Sequence, residues 1–504
     1  MSSQQMHDRR RFLRDVGLTT AGIVGATTRP LAAALGRLAQ DPVARPSVAP
    51  ASLSRQFARW VVGLRFEDLP AAVVDRAKGL TLQNLASALI GSGMPAGQQA
   101  VRFVAEEEAG VSGGATVLVA GAKVTKGGAA FANAEMMLAG GKWDTFRMLT
   151  HPGTAIIPSA LVAAEAEGAS GRDFITGIVA GYEVMERMAA DWIPTVMARG
   201  FHAGPVFSIF GAAIAAAKIL HLDEDQVHGV ISLCTNLAGS NLESRALREG
   251  AAVRNAMLAV ALARRGPVGG GEAVLEGPAG FYRAYAGNNH GDLTYSFTGD
   301  TRTSLDKLTA DLGTSWMFLE TLYRIYSIAG YNIAHIDVTA RLCEEHDIRH
   351  QDVDRVEAEV NWLETRYPSP AFATQREDIG EPRRGSTRFY SAYAVVKRGF
   401  PMLAGTPDPP EVLELMKRVT IIPSHQRGLF APRVTIFTKN GTSYTKQATG
   451  REFIWDFDEE ARRIRGVVPG LPIPAAQFER MIAMCRSLDR EPRAAGLIGL
   501  TLKQ

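Results

Sequence analysis

Cysteine is scarce. The chain of 504 residues has three, Cys234, Cys343 and Cys485, each more than a hundred positions from the next. An odd, widely spaced set excludes a disulfide framework, and without a CxxC pair neither zinc nor an iron–sulfur cluster has obvious ligands. HExxH, the P-loop and a GxGxxG that opens a helix after a strand are also missing, so metals and nucleotides lose their usual warrants. The glycine run at 269–271 lacks the flanking strand that a phosphate cradle needs. No apolar stretch approaches the roughly 20 residues of a membrane span; the longest candidate, Val206 to Ala217, is apolar nearly all round but too short. Charge of one sign is missing as well. Lys plus Arg number 55 against 52 Asp plus Glu, leaving +3 and no basic stripe to hold a nucleic-acid backbone. What is plentiful is apolar surface: 46% hydrophobic residues with 21% charged support a large core. The length exceeds what a single core serves, which favours two or more domains.

The N-terminus reads as an address. Asp8-Arg9-Arg10-Arg11-Phe12-Leu13-Arg14 precedes a mildly apolar run from Val16 to Ala26, the layout of a twin-arginine export signal. We expect residues 1–35 to be that signal, 36–50 an Ala- and Pro-rich linker, and the mature protein to be periplasmic or secreted. The plainer alternative is a basic arm on a cytoplasmic protein.

From Pro50 to Leu312 the pattern is helical, with apolar residues at intervals of three and four in Thr154 to Glu167, Asp173 to Asp191, Val206 to Leu220 and Ala251 to Arg264. After Ser315 the texture changes. Val353 to Trp362 alternates as a strand does, and Arg433 to Thr445 forms two β-rich runs around Asn440-Gly441, a hairpin signal. Helix returns over Phe389 to Lys397, Asp456 to Arg465 and Ala475 to Ser487. The expected fold class is mainly α with a smaller α+β domain. Residues 51–314 and 449–504, from both ends of the chain, build a large helical-bundle domain, and 315–448 form an inserted lid domain.

Several polar residues stand at places suited to chemistry. His151-Pro152-Gly153 directly precedes an Ala-rich helix, so its imidazole and the free N–H groups of the helix could face one anion. His202 opens the apolar segment that ends near Leu220. A lone loop histidine is more often a capping or surface residue, but two of them, each at the mouth of a buried helix, favour a shared pocket. Arg245, Arg248 and Arg324 adjoin such segments and suit a bidentate grip on carboxylates.

Taken in order, these segments resemble the MmgE/PrpD family, which includes 2-methylcitrate dehydratase, cis-aconitate decarboxylase and iminodisuccinate epimerase. The stretches that carry the resemblance are Asp144-Thr145 before His151-Pro152-Gly153, Gly181-Tyr182-Glu183 with Arg187, and Gly200-Phe201-His202 with Gly211-Ala212-Ala213 and Lys218. Gly239 to Glu243 follows, and Leu275-Glu276-Gly277 with Gly280-Phe281 is the most distinctive. The resemblance implies a helical large domain with a smaller lid, a homodimer, and chemistry without metal or other cofactor. It places the family's pocket threonine, its two histidines and its lid tyrosine at Thr145, His151, His202 and Tyr390. Elsewhere the chain departs from the family. Gly141 stands where an aspartate is expected and Ala329 where a histidine is. Arg245 and Arg324 replace lysines, and Arg248 replaces a histidine.

Taking a proton from carbon beside a carboxylate requires that the carboxylate be neutralised and that a base and an acid be at hand. The arginines suit the first task. His151 and His202, with unperturbed pKa near 6.5, suit the second, and Tyr390 could protonate a leaving hydroxyl or hold an oxyanion. The expectation is a lyase of the dehydratase or hydratase type acting on a small carboxylic acid, with Thr145, Arg245, Arg248 and Arg324 binding it. Decarboxylation or epimerisation is the alternative within the family. A noncatalytic exported relative that only binds carboxylates, or a pocket repurposed for a larger substrate, is the alternative outside it.

Overall fold

The computed structural model describes residues 51–244, 247–326, 328–366, 384–401, 407–467 and 470–503. The expected export signal and linker, and Arg245, lie outside the described residues. The elements that position the candidate site are helices α1 (Ala71–Gly91), α2 (Lys126–Gly140), α3 (Gly153–Glu167), α4 (Gly171–Ala189), α5 (Ala203–Ile219) and α6 (Arg248–Ala263), with the short strands β1 (Trp143–Thr145) and β2 (Leu322–Arg324). Beyond them run α7 (Gly330–Glu345), β3 (Val353–Asn361), α8 (Thr387–Lys397), β4 (Val419–Ser424), β5 (Arg433–Thr438), β6 (Ser443–Gln447), α9 (Phe457–Val467) and α10 (Ala475–Arg486). The chain is mainly helical with a small α+β part, as expected.

A helix without a polar face must be surrounded. In α5 every residue but Lys218 is buried, and the helix packs on α3, α4 and α6. Its approach to α4 is close because two glycines meet: a Cβ on Gly181 would stand 2.5 Å from the carbonyl oxygen of Gly211. The helix starts three residues earlier than its apolar run, at Ala203, because His202 takes the N-cap position, where Nδ1 of its ring faces the N–H of Gly204 at 3.2 Å. Likewise α6 starts at Arg248, ahead of its apolar run. Both polar residues therefore belong to helix N-termini.

Strand β2 returns to the helical part and pairs antiparallel with β1, setting Trp143 opposite Arg324, Asp144 opposite Tyr323 and Thr145 opposite Leu322. The segment leading into β2 is tied down by α4. Glu183 and Arg187, one turn apart and buried, pair at 2.5 Å. Glu183 also accepts the N–H groups of Met317 and Phe318, and Arg187 donates to the carbonyls of Ala310 and Ser315. These two motif residues thus fix the approach of β2.

A four-stranded sheet in the order β4-β3-β5-β6 has β3 parallel to β4 and antiparallel to β5. Alternation decides its faces: Val356, Ala358 and Val360 of β3 and Val434 and Ile436 of β5 are buried. The β5–β6 turn carries Gly441 at φ +88°, where glycine is at ease, and Asn440 Oδ1 accepts from Thr442 N–H at 3.0 Å. This sheet, α8 and the end of α7 enclose a second, smaller apolar core. Residues of α9 and α10 join the main core. All three cysteines are buried and free, and among the described residues no helix is long and apolar enough to cross a membrane.

Candidate active site

The geometry starts from β1. Asp144 is fully buried, and its carboxylate accepts the N–H of Gly153 through both oxygens, at 2.8 and 3.1 Å, and the phenol hydrogen of Tyr182 at 2.6 Å. It caps α3 from outside that helix and locks β1 to it. Burial pushes its carboxyl up to about 6, against the pull of the Tyr182 hydroxyl and the Gly153 amide. With β1 so held, the Nδ1–H of His151 donates to the carbonyl oxygen of Asp144 at 3.0 Å, and Thr145 Oγ1 lies 3.4 Å from the same nitrogen. Nδ1 therefore carries the proton, and the lone pair of the neutral ring is on Nε2.

His151 is 7% exposed. Burial, then the charge of Arg324, and more weakly Arg248 and His202, hold its pKa well below the ordinary histidine range. Those groups are thus near enough to act on one another. The indole of Trp143 lies 4.4 Å from the His151 ring, centroid to centroid, and the guanidinium of Arg324 lies over that indole at 4.6 Å. Arg324 Nε–H donates to the carbonyl of Ile328 at 2.7 Å, and burial brings its own pKa down to about 10. Lys142 adds a third cation beside Arg324, its pKa lowered by burial and by that neighbour. On the other side, Arg248 Nη1 faces His202 Nε2 at 2.9 Å.

The structure accordingly brings Thr145, His151, His202, Arg248 and Arg324 into one cluster. Tyr390 stands apart in the interactions it makes. It is half-buried in the first turn of α8 and packs against both apolar cores. Its ring lies beside Phe389, and its pKa is raised by burial, with Arg384 and Asp408 as its charged neighbours. Among the described residues it makes no hydrogen bond to either histidine. Gly141 ends α2 in a left-handed conformation, φ +73°, which explains a glycine there and leaves no acid at that place. Ala329 is the N-cap residue of α7. Trp143, Lys142 and Tyr182 were not chosen from sequence as site residues. Trp143 and Lys142 adjoin the Asp144-Thr145 motif, whereas nothing in the spacing ties Tyr182 to Asp144.

Two carboxyls stand behind the cluster. Glu249 is fully buried and Glu135 is 5% exposed. Burial and the repulsion of Glu249 raise Glu135 to about 7. Among the described residues no three His, Cys, Asp or Glu side chains are grouped as metal ligands would be.

Half-buried cations around two imidazoles, one of them held neutral, suit a small polyanion, with a base in place. Residues 55–294 match the MmgE/PrpD N-terminal domain. That stretch carries β1, both histidines and Arg248. Known proteins similar to the chain include the cis-aconitate decarboxylase-like protein oryM of Aspergillus oryzae, 26% identical over 341 residues, which cover 64% of this chain and 67% of the relative. Cis-aconitate decarboxylase of Aspergillus terreus is 25% identical over 443 residues, 79% of this chain and 85% of the relative. Cis-aconitate decarboxylase of Homo sapiens is 26% identical over 290 residues, 53% of this chain and 58% of the relative.

Proposed function

We propose that this chain is a lyase acting on a small carboxylic acid with two or more carboxylates, and that decarboxylation, for which the similar proteins are named, comes before dehydration as the reaction. The observation that carries the reading is the grouping of Arg248 and Arg324 around two imidazoles, one of them held neutral with Nε2 free to take a proton.

The arginines neutralise the substrate's carboxylates. Arg324 spends its Nε–H on Ile328 and keeps its terminal nitrogens for the ligand. An incoming anion also offsets the cationic repulsion that depresses His151, so the ring becomes more basic once substrate is bound. In a decarboxylation the C–CO2 bond breaks, CO2 leaves, and the electron pair passes into the system of a neighbouring carboxylate until a histidine ring, protonated from solvent after the bound anion has made it more basic, returns that proton to carbon. In a dehydration the imidazole takes the C–H proton and the hydroxyl departs with a proton from a second acid, a role open to His202 or Tyr390. Each proton transfer by a placed group contributes roughly 10² to 10⁴ in rate.

The test is incubation with cis-aconitate or citrate in deuterium oxide, followed by NMR and CO2 release. Turnover or deuterium entry that falls at least a hundredfold in His151→Ala supports the reading. Tight carboxylate binding without exchange, unchanged in His202→Ala, would instead make the protein a noncatalytic binder. The export of residues 36–504 after removal of a twin-arginine signal, and assembly as a homodimer, remain part of the same proposal. Cell fractionation and light scattering test them.

A further inference from the structure

The two carboxyls behind His202 have no part in the reaction described above, yet their placement is specific. Glu249 follows Arg248 in the first turn of α6, and Glu135 reaches across from α2, where its Oε1 accepts the N–H of Gly250 at 3.1 Å. Glu135 thus caps α6, while Glu249 turns toward α5. A Cβ on Gly204, two residues beyond His202, would meet Glu249 Oε1 at 2.5 Å. Among the described residues neither oxygen of Glu249 nor the Nε of Arg248 has a hydrogen-bond partner, although Glu249 Oε2 and that Nε face each other at 3.9 Å.

The far end of the same guanidinium, Nη1, reaches His202 Nε2 at 2.9 Å, while Nδ1 of the ring faces the N–H of Gly204 at 3.2 Å. A neutral imidazole offers one lone pair, and here two donors approach the ring from opposite sides. Only one of the contacts is satisfied in either tautomer. The guanidinium is planar and rigid, so whatever anchors its Nε side fixes where Nη1 points. A charge-assisted bond from a held Arg248 outweighs the longer amide contact. The charged and titratable groups facing Glu249 are Arg248 on its own helix, Glu135 from α2 and the His202 ring at the start of α5.

We propose that Glu249 is a positioning residue: its carboxyl anchors the Nε side of Arg248, presses Nη1 onto His202 Nε2, and so keeps the proton of the neutral His202 ring on Nδ1. The proposal rests on the reading that His202 and Arg248 face the substrate, but its first readout needs no substrate.

The experiment uses the full chain labelled with 15N-histidine, with the His202 resonances identified by their loss in His202→Ala. In the wild type Nδ1 carries the proton. In Glu249→Gln the charge that anchors Arg248 is gone, the Gly204 amide wins, and the proton moves to Nε2. Citrate, used as the probe anion in calorimetry, binds about tenfold more weakly in that variant. Glu249→Asp keeps the charge but withdraws it by one methylene, and gives a mixed tautomer with an intermediate affinity. It also serves if Glu249→Gln does not fold. An unaltered tautomer and unaltered citrate affinity in a folded variant overturn the proposal. A tautomer that moves while the wild type binds no carboxylate leaves Glu249 as the anchor and removes the lyase reading instead.

Discussion

Arg324 lies over the indole of Trp143, its guanidinium carbon 4.6 Å from the ring centroid, and the two are direct partners across the β1–β2 pair. The same indole lies 4.4 Å from the His151 ring, so one aromatic residue spaces a half-buried cation from a buried imidazole. Burial first, and then the nearby charge of Arg324, hold the pKa of His151 well below the ordinary histidine range. Both groups depend on β1, which depends in turn on Asp144.

Replacing Arg324 by lysine keeps one positive charge and removes the planar fork, the stacking on Trp143 and the Nε–H bond to Ile328. The variant should fold, since the lost contacts are polar and peripheral to the main core. Citrate affinity by calorimetry should fall about tenfold or more, which corresponds to roughly 1.4 kcal/mol or above. An affinity equal to that of the wild type would mean that Arg324 contributes charge alone.

Tyr182→Phe removes the phenol that donates to Asp144 at 2.6 Å and leaves a buried carboxylate one donor short. The cost is about 1–3 kcal/mol, read from urea unfolding. The carboxyl of Asp144 should rise further above about 6, because the lost hydroxyl lowers it in the wild type. Binding of citrate should weaken too, since β1 carries the carbonyl that orients His151.

The large pattern was legible in the sequence because it rests on burial. An all-round apolar run announced that α5 is central, alternation announced β3, and Asn440-Gly441 announced the turn between β5 and β6. The two histidines were legible as residues at helix mouths. What escaped was everything fixed by contacts between distant segments: Tyr182 on Asp144, Arg324 on Trp143, and Glu135 capping α6. Each joins segments whose separation leaves no periodic trace. Arg248 is expected from sequence as a carboxylate grip; its contact with the ring of His202 is set by two helix N-termini meeting and not by spacing along the chain.

Stability should depend on pH through buried titratable groups both in the site and outside it. Glu364 accepts the N–H of Phe430 at 2.9 Å and Glu460 the indole N–H of Trp455 at 2.8 Å, and burial pushes both up to about 8. In the unfolded chain each titrates near 4.3. Between about 4.3 and 8 the folded protein holds protons that the unfolded chain has released, so stability falls as pH rises through that window. The slope is at most about 1.4 kcal/mol per pH unit for each group. His151, held well below its ordinary range, and His335, lowered to about 3 by burial, act the other way. The unfolded chain takes up their protons below about 6.5 while the folded one does not, so stability also falls on the acid side. Glu364→Gln with Glu460→Gln keeps both acceptors and should flatten the decline between pH 6 and 8 in urea titrations. An unchanged decline would place its origin elsewhere.

Gly153 tests how tightly the site is coupled to the core. A Cβ there would stand 2.2 Å from Asn84 Nδ2 and 2.5 Å from the hydroxyl of Tyr182, the group bound to Asp144. Neither neighbour is a free chain end, because Asn84 Nδ2 donates to the carbonyl of Leu80 at 2.9 Å and Tyr182 is fully buried. Gly153→Ala should therefore cost about 1–3 kcal/mol by overpacking and displace the Asp144 carboxylate from the start of α3. At Gly63 nothing lies within 4 Å of an added Cβ, and Gly63→Ala, at the last residue of its helix, should be neutral or stabilising by up to about 1 kcal/mol. Thermal unfolding separates the two variants. If the site hangs on this contact, Gly153→Ala weakens citrate binding as well as folding, whereas a lower melting temperature with wild-type affinity would show that β1 holds its place without Asp144.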